Sequence, residues 1–456
     1  GVWFGNAFQN NGFGFASGNT TDAPCPAGQI DVVQNGQFTG LPTCFQAAAQ
    51  NRAARGLGDT QSIDPNIEIP TVVRANLGFE AQLGTGGGFF SGWNLNLDYI
   101  YSRYRKALTL VDLSQTVDIT RGLNGYTIDG NPIFAAIDPT RAGCGATLVR
   151  GGGDILWQNV TAPCYARGAS DRDDELQLTN GRGYESHIAS IVLSKNFEGG
   201  IFTQGGRSFL NIGYAYTDAQ DRRNMFNSTA GSNYDNQAAT SLQDPAASRG
   251  FYETRHNFTL AANLNEKFFG DEDTSLGFTF VARSGRPYSL TFGGSGGFFD
   301  SASGFDNRLL YIPTGVNDPN LSPSSNATAV ANFMGYVDNL DCAKEAKGRV
   351  IERNTCLNDW YYDLDLNFSQ TVPGPFKGDS LKFTVTVDNF LNLLDQNWNT
   401  FRKRQFASLV NVVTPANVPV DAQGRYIINT FAPDDTRDLV TSASLWRLKV
   451  GVSYKF

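Results

Sequence analysis

The chain has 456 residues, a formal charge of −8, 12% aromatic residues, 49 glycines and only two histidines and two methionines. A soluble α/β enzyme of this length carries more Leu, Ala, Glu and Lys at helical spacing, and the acidic balance without a basic stripe argues against nucleic acid as a partner. No run reaches the ~18–20 apolar residues of a transmembrane helix, yet a mean hydropathy of −0.29 suits membrane strands, which show lipid only every second residue.

In chain order, strict alternation of apolar and polar residues marks about nine strands, or ten if the short apolar run 2–8 is counted. The first clear one sets Val73, Ala75, Leu77 and Phe79 against Arg74, Asn76, Gly78 and Glu80. The second sets Trp93, Leu95, Leu97, Tyr99 and Tyr101 against Asn94, Asn96 and Asp98. Equivalent patterns centre on Ile191, Ile212, Leu260, Phe278, Leu364 and Phe383, and on a last strand with Trp446, Leu448, Val450, Val452, Tyr454 and Phe456 on one face.

Parity puts Arg74, Glu80, Asp98, Arg255, Arg283, Asp363, Asp365, Arg447 and Lys449 on the polar face. A sandwich cannot bury such a set, whereas the lumen of a wide antiparallel transmembrane β-barrel can. Their mixed signs suit a wall that contacts a plug better than a charge-selective pore. The aromatic ends of the apolar face match membrane-interface girdles.

Connections alternate between short (84–92, 197–207, 265–273, 372–380) and long (about 9–69, 108–180, 220–250, 293–357, 393–440). Outer-membrane barrels have short periplasmic turns and long extracellular loops, so the long segments are expected outside the cell. Within them, 125–134 (GYTIDGNPIF) and 426–431 read as accessory strands or hairpins. The six cysteines fall in the long segments as local pairs, Cys25–Cys44, Cys144–Cys164 and Cys342–Cys356. Each pair is expected to be a disulfide formed in an oxidising compartment, stapling a polar, strand-free loop too polar to build its own core. The other reading of the six is buried thiols.

No catalytic constellation, metal centre or cofactor motif emerges, so the chain is not expected to be an enzyme. His187 and His256, the only histidines, fall on the lipid-facing parity near the outer interface. The glycine runs 84–88 and 293–297 lack a following helix or Lys-Ser/Thr and read as turns. Asp171, Asp173, Asp174 and Glu175 offer oxygen ligands for Ca²⁺, but without EF-hand spacing they read better as a solvated loop edge. The loop aromatics Trp157, Tyr165, Tyr234, Phe298, Phe299 and Tyr336 are the expected ligand-contacting surface.

Lys449, Gly451, Tyr454 and Phe456 in the final KVGVSYKF resemble the outer-membrane assembly signal, which implies contact with the barrel-assembly machinery. The segments 310–315 (LYIPTG), 364–370 (LDLNFSQ) and 387–395 (VDNFLNLLD) resemble the Oar-like branch of the TonB-dependent transporters. So do 56–65 (GLGDTQSIDP) and the stretch beginning Tyr104-Arg-Lys.

The resemblance implies a 22-stranded barrel of which this chain is the C-terminal portion. The plug, the TonB box and the earlier strands are then expected upstream. It also implies a Gram-negative outer membrane, with the lipid bilayer, the remaining strands and plug, the TonB complex and other envelope proteins as partners. The expected function is movement of a bulky ligand across that membrane after capture by disulfide-stapled loops. The alternative is a passive porin or a surface-binding scaffold without energy coupling.

Overall fold

The computed structural model describes residues 3–4, 33–35, 37–38, 60–149, 155–166, 175–223, 225, 227–294, 298, 307–404, 408–434 and 436–456. The chain is mostly β, and its largest element is an antiparallel sheet with nine long strands. These are β1 (Thr71–Leu83), β2 (Trp93–Arg105), β3 (Tyr184–Gly199), β4 (Gly206–Asp221), β5 (His256–Phe269), β6 (Glu272–Arg283), β7 (Tyr361–Pro373), β8 (Ser380–Asp388) and β9 (Arg447–Lys455). Each pairs with its sequence neighbours, as expected for strands joined by hairpins. All nine alternating runs are strands. The run 2–8 does not supply a tenth: Trp3–Phe4 pairs with Thr60–Ile63 in a separate small sheet, and 5–8 lie outside the described residues. Among the described residues no helix is long and apolar enough to cross a membrane.

Cross-strand register keeps like with like, because a slip by one residue would turn every side chain to the other face. One row runs Ala81, Leu95, Leu193, Ile212, Leu260, Phe280 and Leu364. A row of the opposite face runs Gly78, Asp98, Ser190, Ala215, Asn257, Arg283 and Tyr361. The apolar face is not covered by a second layer. Leu77 is 72% exposed and Phe368 41%, which rules out a dry sandwich core around Leu364, Leu366 and Phe368.

The strands are also staggered. Gln82, Asn94, Ser194, Asn211, Ala261, Thr279 and Asp365 form one row. Gln82 lies one residue from the turn end of β1, but Asp365 lies eight from the turn end of β7. The sheet thus shears by seven residues over six strand steps. At ~3.3 Å per residue and ~4.8 Å per strand, the strands lean by roughly 40°. Among the described residues nothing pairs with the outer edges of β1 and β9.

Tight turns close one end of the sheet, and two are fastened from the strands. Lys195 donates to the carbonyls of Gly88 (2.6 Å), Phe89 (3.0 Å) and Ser91 (2.5 Å). The Glu266 carboxylate accepts from the amides of Ile201 (2.6 Å), Phe202 (3.2 Å) and Thr203 (2.9 Å). These contacts satisfy backbone groups that a tight turn leaves without ladder partners.

The long connections gather over the other end into a cap; 426–431 is the accessory strand expected and 125–134 closes as a hairpin, but the cysteine-bearing segments are not strand-free as expected. Pro287–Phe292, Cys356–Leu357, Leu409–Val420 and Tyr426–Phe431 form a four-stranded sheet that includes a parallel pair. A second small sheet joins Trp3–Phe4, Thr60–Ile63, Glu175–Gly181 and Ala107–Asp112. The helix α1 (Ala327–Asp338) is capped by Asn326, whose side chain accepts from the amides of Thr328 and Ala329. It buries Ala329, Val330, Phe333, Met334 and Val337, the spacing of one helical face. The connection between β6 and β7 supplies most of one buried cluster, from Tyr288 through Leu310 and Phe333 to Cys356, and Ile133, Val410 and Tyr426 join it from two other connections.

Disulfides link Cys144 to Cys164 and Cys342 to Cys356, and Cys356 is fully buried in that cluster. Cys25 and Cys44 lie outside the described residues. The pairs close loops of 20 and 14 residues, so each should stabilise the cap by about 2–3 kcal/mol. Calorimetry with and without reductant should show the cap transition falling while the sheet's own transition stays in place. A cap transition indifferent to reductant would remove the disulfides from the account.

Candidate functional site

Two surfaces could meet a ligand: the polar face of the sheet and the cap at its loop end. On the polar face, Arg74 donates from Nε to Ser102 Oγ (3.2 Å). Tyr361 donates to Asp363 (3.0 Å), and Asp365 accepts from the Asn389 amide (2.8 Å). Lys449 donates to Asp388 at 2.9 Å, with Arg447 at 3.7 Å from the same carboxylate oxygen. Arg283 lies over the Tyr361 ring at 4.7 Å. Asp98 stands in the row of Arg283, and Glu80 one row nearer the turns, opposite Asn96. Arg255 departs from the set: it precedes β5 and turns its guanidinium to Glu253 and Asp218, both at 2.9 Å.

On the apolar face the rings fall into two bands. The loop-end band contains Tyr99, Tyr101, His187, Tyr214, Tyr216, His256 and Trp360. Tyr99 reaches His187 Nδ1 at 2.7 Å, Tyr214 reaches His256 Nδ1 at 2.9 Å, and His256 stacks on Trp360 at 5.9 Å. Both histidines thus take tyrosine partners within the band. The turn-end band includes Phe89, Trp93 and Phe197, with Phe89 and Phe197 stacked at 5.6 Å. On β9, Gly451 pairs with Thr384 and Tyr454 donates to Asp379, and Phe456 just beyond the strand is 96% exposed.

The loop aromatics expected to catch ligand mostly face inward, which corrects that expectation. Tyr234 and Phe298 are fully buried and Tyr165 is nearly so. Tyr165 donates to the Val117 carbonyl (3.0 Å) and accepts from the Ile119 amide (2.9 Å). Tyr234 lies under the Arg223 guanidinium at 4.8 Å, and Phe298 packs on Phe292 at 5.1 Å. Half-buried Trp157 donates to the Leu113 carbonyl at 3.0 Å, and Tyr336 packs on Phe431. Phe299 lies outside the described residues. A large ring is worth more in a shared core than on a wet loop, and the pooled cap supplies that core. Asp171, Asp173 and Asp174 are also outside the described residues, leaving Glu175 at the start of a cap strand.

Buried arginines tie the connections together, a role that spacing alone did not reveal. Arg308 is fully buried, donates to the carbonyls of Pro132 (2.9 Å) and Thr240, and lies over Phe298. Arg223 donates to Thr109 Oγ1 (3.1 Å) and to the carbonyls of Tyr234 (3.0 Å) and Leu242. Burial pushes its guanidinium down to about 10, so it stays charged at neutral pH.

Arg404 and Asp434 form an ion pair whose side chains are 6% and 5% exposed. Arg404 also lies 3.7 Å from the Tyr288 ring centroid. Burial pushes the Asp434 carboxyl up, but hydrogen bonds from Thr436 and Arg404 outweigh it and hold the group below the usual carboxylate range. A carboxylate depressed by folding stabilises the fold above its unfolded pKa of about 3.9, and that contribution is lost as pH falls through the lower folded value. The cap should therefore melt at lower temperature at about pH 3 than at pH 6, and Asp434→Asn should flatten this acid-side slope. Near-UV circular dichroism melts of both proteins test it, and equal slopes would count against Asp434 as the titrating group.

Among the described residues no group of three or more His, Cys, Asp or Glu could hold a metal ion. The arrangement offers binding surfaces and a rigid frame. Compared with protein-family models, curated proteins and solved structures, the chain matches none.

Proposed function

We propose that the nine-stranded sheet is part of the wall of an outer-membrane β-barrel and that the protein moves a bulky ligand across that membrane, as a TonB-dependent receptor does. The observation that carries this reading is the uncovered apolar face bounded by two aromatic bands. Nine strands ~4.8 Å apart, with ~25 Å of strand length between bands, make a patch of roughly 1,000 Å². That exceeds the ~300–600 Å² of the largest patch on a typical soluble monomer. On β2 the bands at Trp93 and Tyr101 are eight residues apart, about 20 Å across the membrane at the observed lean. The lean itself falls within the ~35–45° of closed transmembrane barrels.

On this reading the polar face lines the lumen, the turns are periplasmic and the cap is extracellular. The edges of β1 and β9 pair with further strands of the same barrel, since open edges are not tolerated in lipid. The assembly machinery, plug and TonB complex enter as partners through the resemblance of the C-terminal strand and of 364–370 and 387–395. A second reading, a surface-binding scaffold, is favoured by one feature: the cap is a packed body, unlike loops that close only around ligand.

The test uses the intact polypeptide in vesicles whose acyl chains are brominated. Trp93 and Trp360, on the apolar face, should be quenched, and Trp157 in the cap should not. Planar bilayers then separate transport from passage. A plugged transporter conducts only after its plug is displaced, whereas constitutive conductance would make the protein a porin. Absence of quenching at Trp93 and Trp360 would overturn the membrane reading altogether.

A further inference from the structure

At the loop end of the polar face lies a cavity of about 400 Å³ whose charge is one-sided. Arg283 ends β6, Arg286 follows it, and Arg402 and Lys403 enter from the last long connection. A fifth cation of the lining, Arg404, is neutralised by Asp434, and outside it Arg437 is paired with Asp359 and Arg353 with Asp221. The other four cations of the lining form no ion pair within hydrogen-bonding reach among the described residues, although Lys403 stands opposite Asp438 across a strand pair and Arg283 lies within electrostatic range of Asp363. Like charges gathered at one concave site repel one another and focus a positive potential into it, a cost an anion would relieve.

Rings share the same walls. Arg283 lies over Tyr361, and Arg286 lies 5.5 Å from the Tyr252 ring centroid. A guanidinium stacked through its face keeps its in-plane N–H donors for a carboxylate or phosphate. Tyr252 is 58% exposed, in contrast to Tyr165, Tyr234 and Phe298. Sites that combine such rings with a few convergent charges hold a ring through its face and an anion through its oxygens.

We propose that this cavity binds an anionic ligand built on a flat ring, with a phosphate or carboxylate held by Arg286, Arg402 and Lys403 and the ring against Tyr252. This deepens the proposed function by naming a ligand class, and depends on that reading only for the side of the membrane from which the ligand arrives. The volume limits the accommodated part to a small head group, so a larger ligand would project from the mouth.

The test is equilibrium binding of 4-methylumbelliferyl phosphate to the intact polypeptide in detergent, with neutral 4-methylumbelliferyl glucoside and inorganic phosphate beside it. The aryl phosphate should bind saturably and at least tenfold more tightly than either. Arg286→Gln with Arg402→Gln should weaken it at least tenfold, and Lys344→Gln with Arg349→Gln, both exposed, outside the cavity and removing the same two charges, should not. Equal binding of the neutral glucoside, equal loss in the remote variant, unchanged affinity in the double variant or no saturable binding would each overturn the proposal. Bromolipid quenching on the same preparation keeps the two ideas apart. Quenching without aryl-phosphate binding rejects the ligand class alone, and binding without quenching rejects the barrel alone.

Discussion

Tyr426→Ala should destabilise the cap by about 3–5 kcal/mol, the range for deleting a large buried aromatic. Its ring stacks on Tyr311 with centroids 4.6 Å apart and 9° between planes, and on Phe292 at 5.9 Å. Its hydroxyl donates to the Asp129 carboxylate at 2.9 Å, joining residues 297 positions apart. Truncation would leave a cavity among three connections and strip a donor from Asp129 at once. Tyr426→Phe keeps the stacking and removes only the hydroxyl, so about 1–2 kcal/mol is expected. Near-UV melts and limited proteolysis of the intact polypeptide should show the cap opening in the alanine variant while the nine strands stay protected. If cap and sheet instead lose protection together, they form one cooperative unit and the division drawn above fails.

That contrast also separates what the sequence revealed from what it hid. Strand alternation is local: whether Leu260 and Phe280 share a face is decided by residues within a few positions of each. The nine strands and their turns were therefore legible, and the polar-face charges with them, except Arg255, whose partner Asp218 lies 37 residues away. Of the cap, only the strand 426–431 and the hairpin 125–134 were legible, because its core brings together residues from 133 to 428. Ile133, Phe292, Phe333 and Tyr426 look like scattered apolar residues in polar loops until the connections converge. The helix α1 was the exception that could have been found. Asn326 precedes apolar residues at 329, 330, 333, 334 and 337, a cap followed by a 3.6-residue period. Tyr165, Tyr234 and Phe298 were misassigned for the converse reason, since composition says that such a ring needs a partner without saying whether that partner is ligand or protein.

On the proposed barrel reading, Phe280→Arg should prevent stable assembly in a bilayer, at a cost of roughly 4–6 kcal/mol. About 2–4 comes from an arginine near the membrane midplane and about 2 from the lost apolar side chain. Phe280 lies mid-strand in the row of Leu260 and Leu364, away from either aromatic band. Its neighbour Thr279 points to the opposite face beside Ala261 and Asp365. Thr279→Arg should therefore be tolerated, with a nearby carboxylate to offset the new charge. The comparison discriminates by sign. On a sheet face bathed in water, replacing a part-exposed phenylalanine with arginine costs little and improves solubility, whereas against lipid it is among the most damaging single changes available. The measurement is heat-modifiable migration after refolding into vesicles. A shifted band for wild type and Thr279→Arg but not for Phe280→Arg supports lipid on the apolar face. Equal folding of the two variants would mean that the face carrying Leu260, Phe280 and Leu364 meets something other than a bilayer, and a protein partner covering it would then be the reading to pursue.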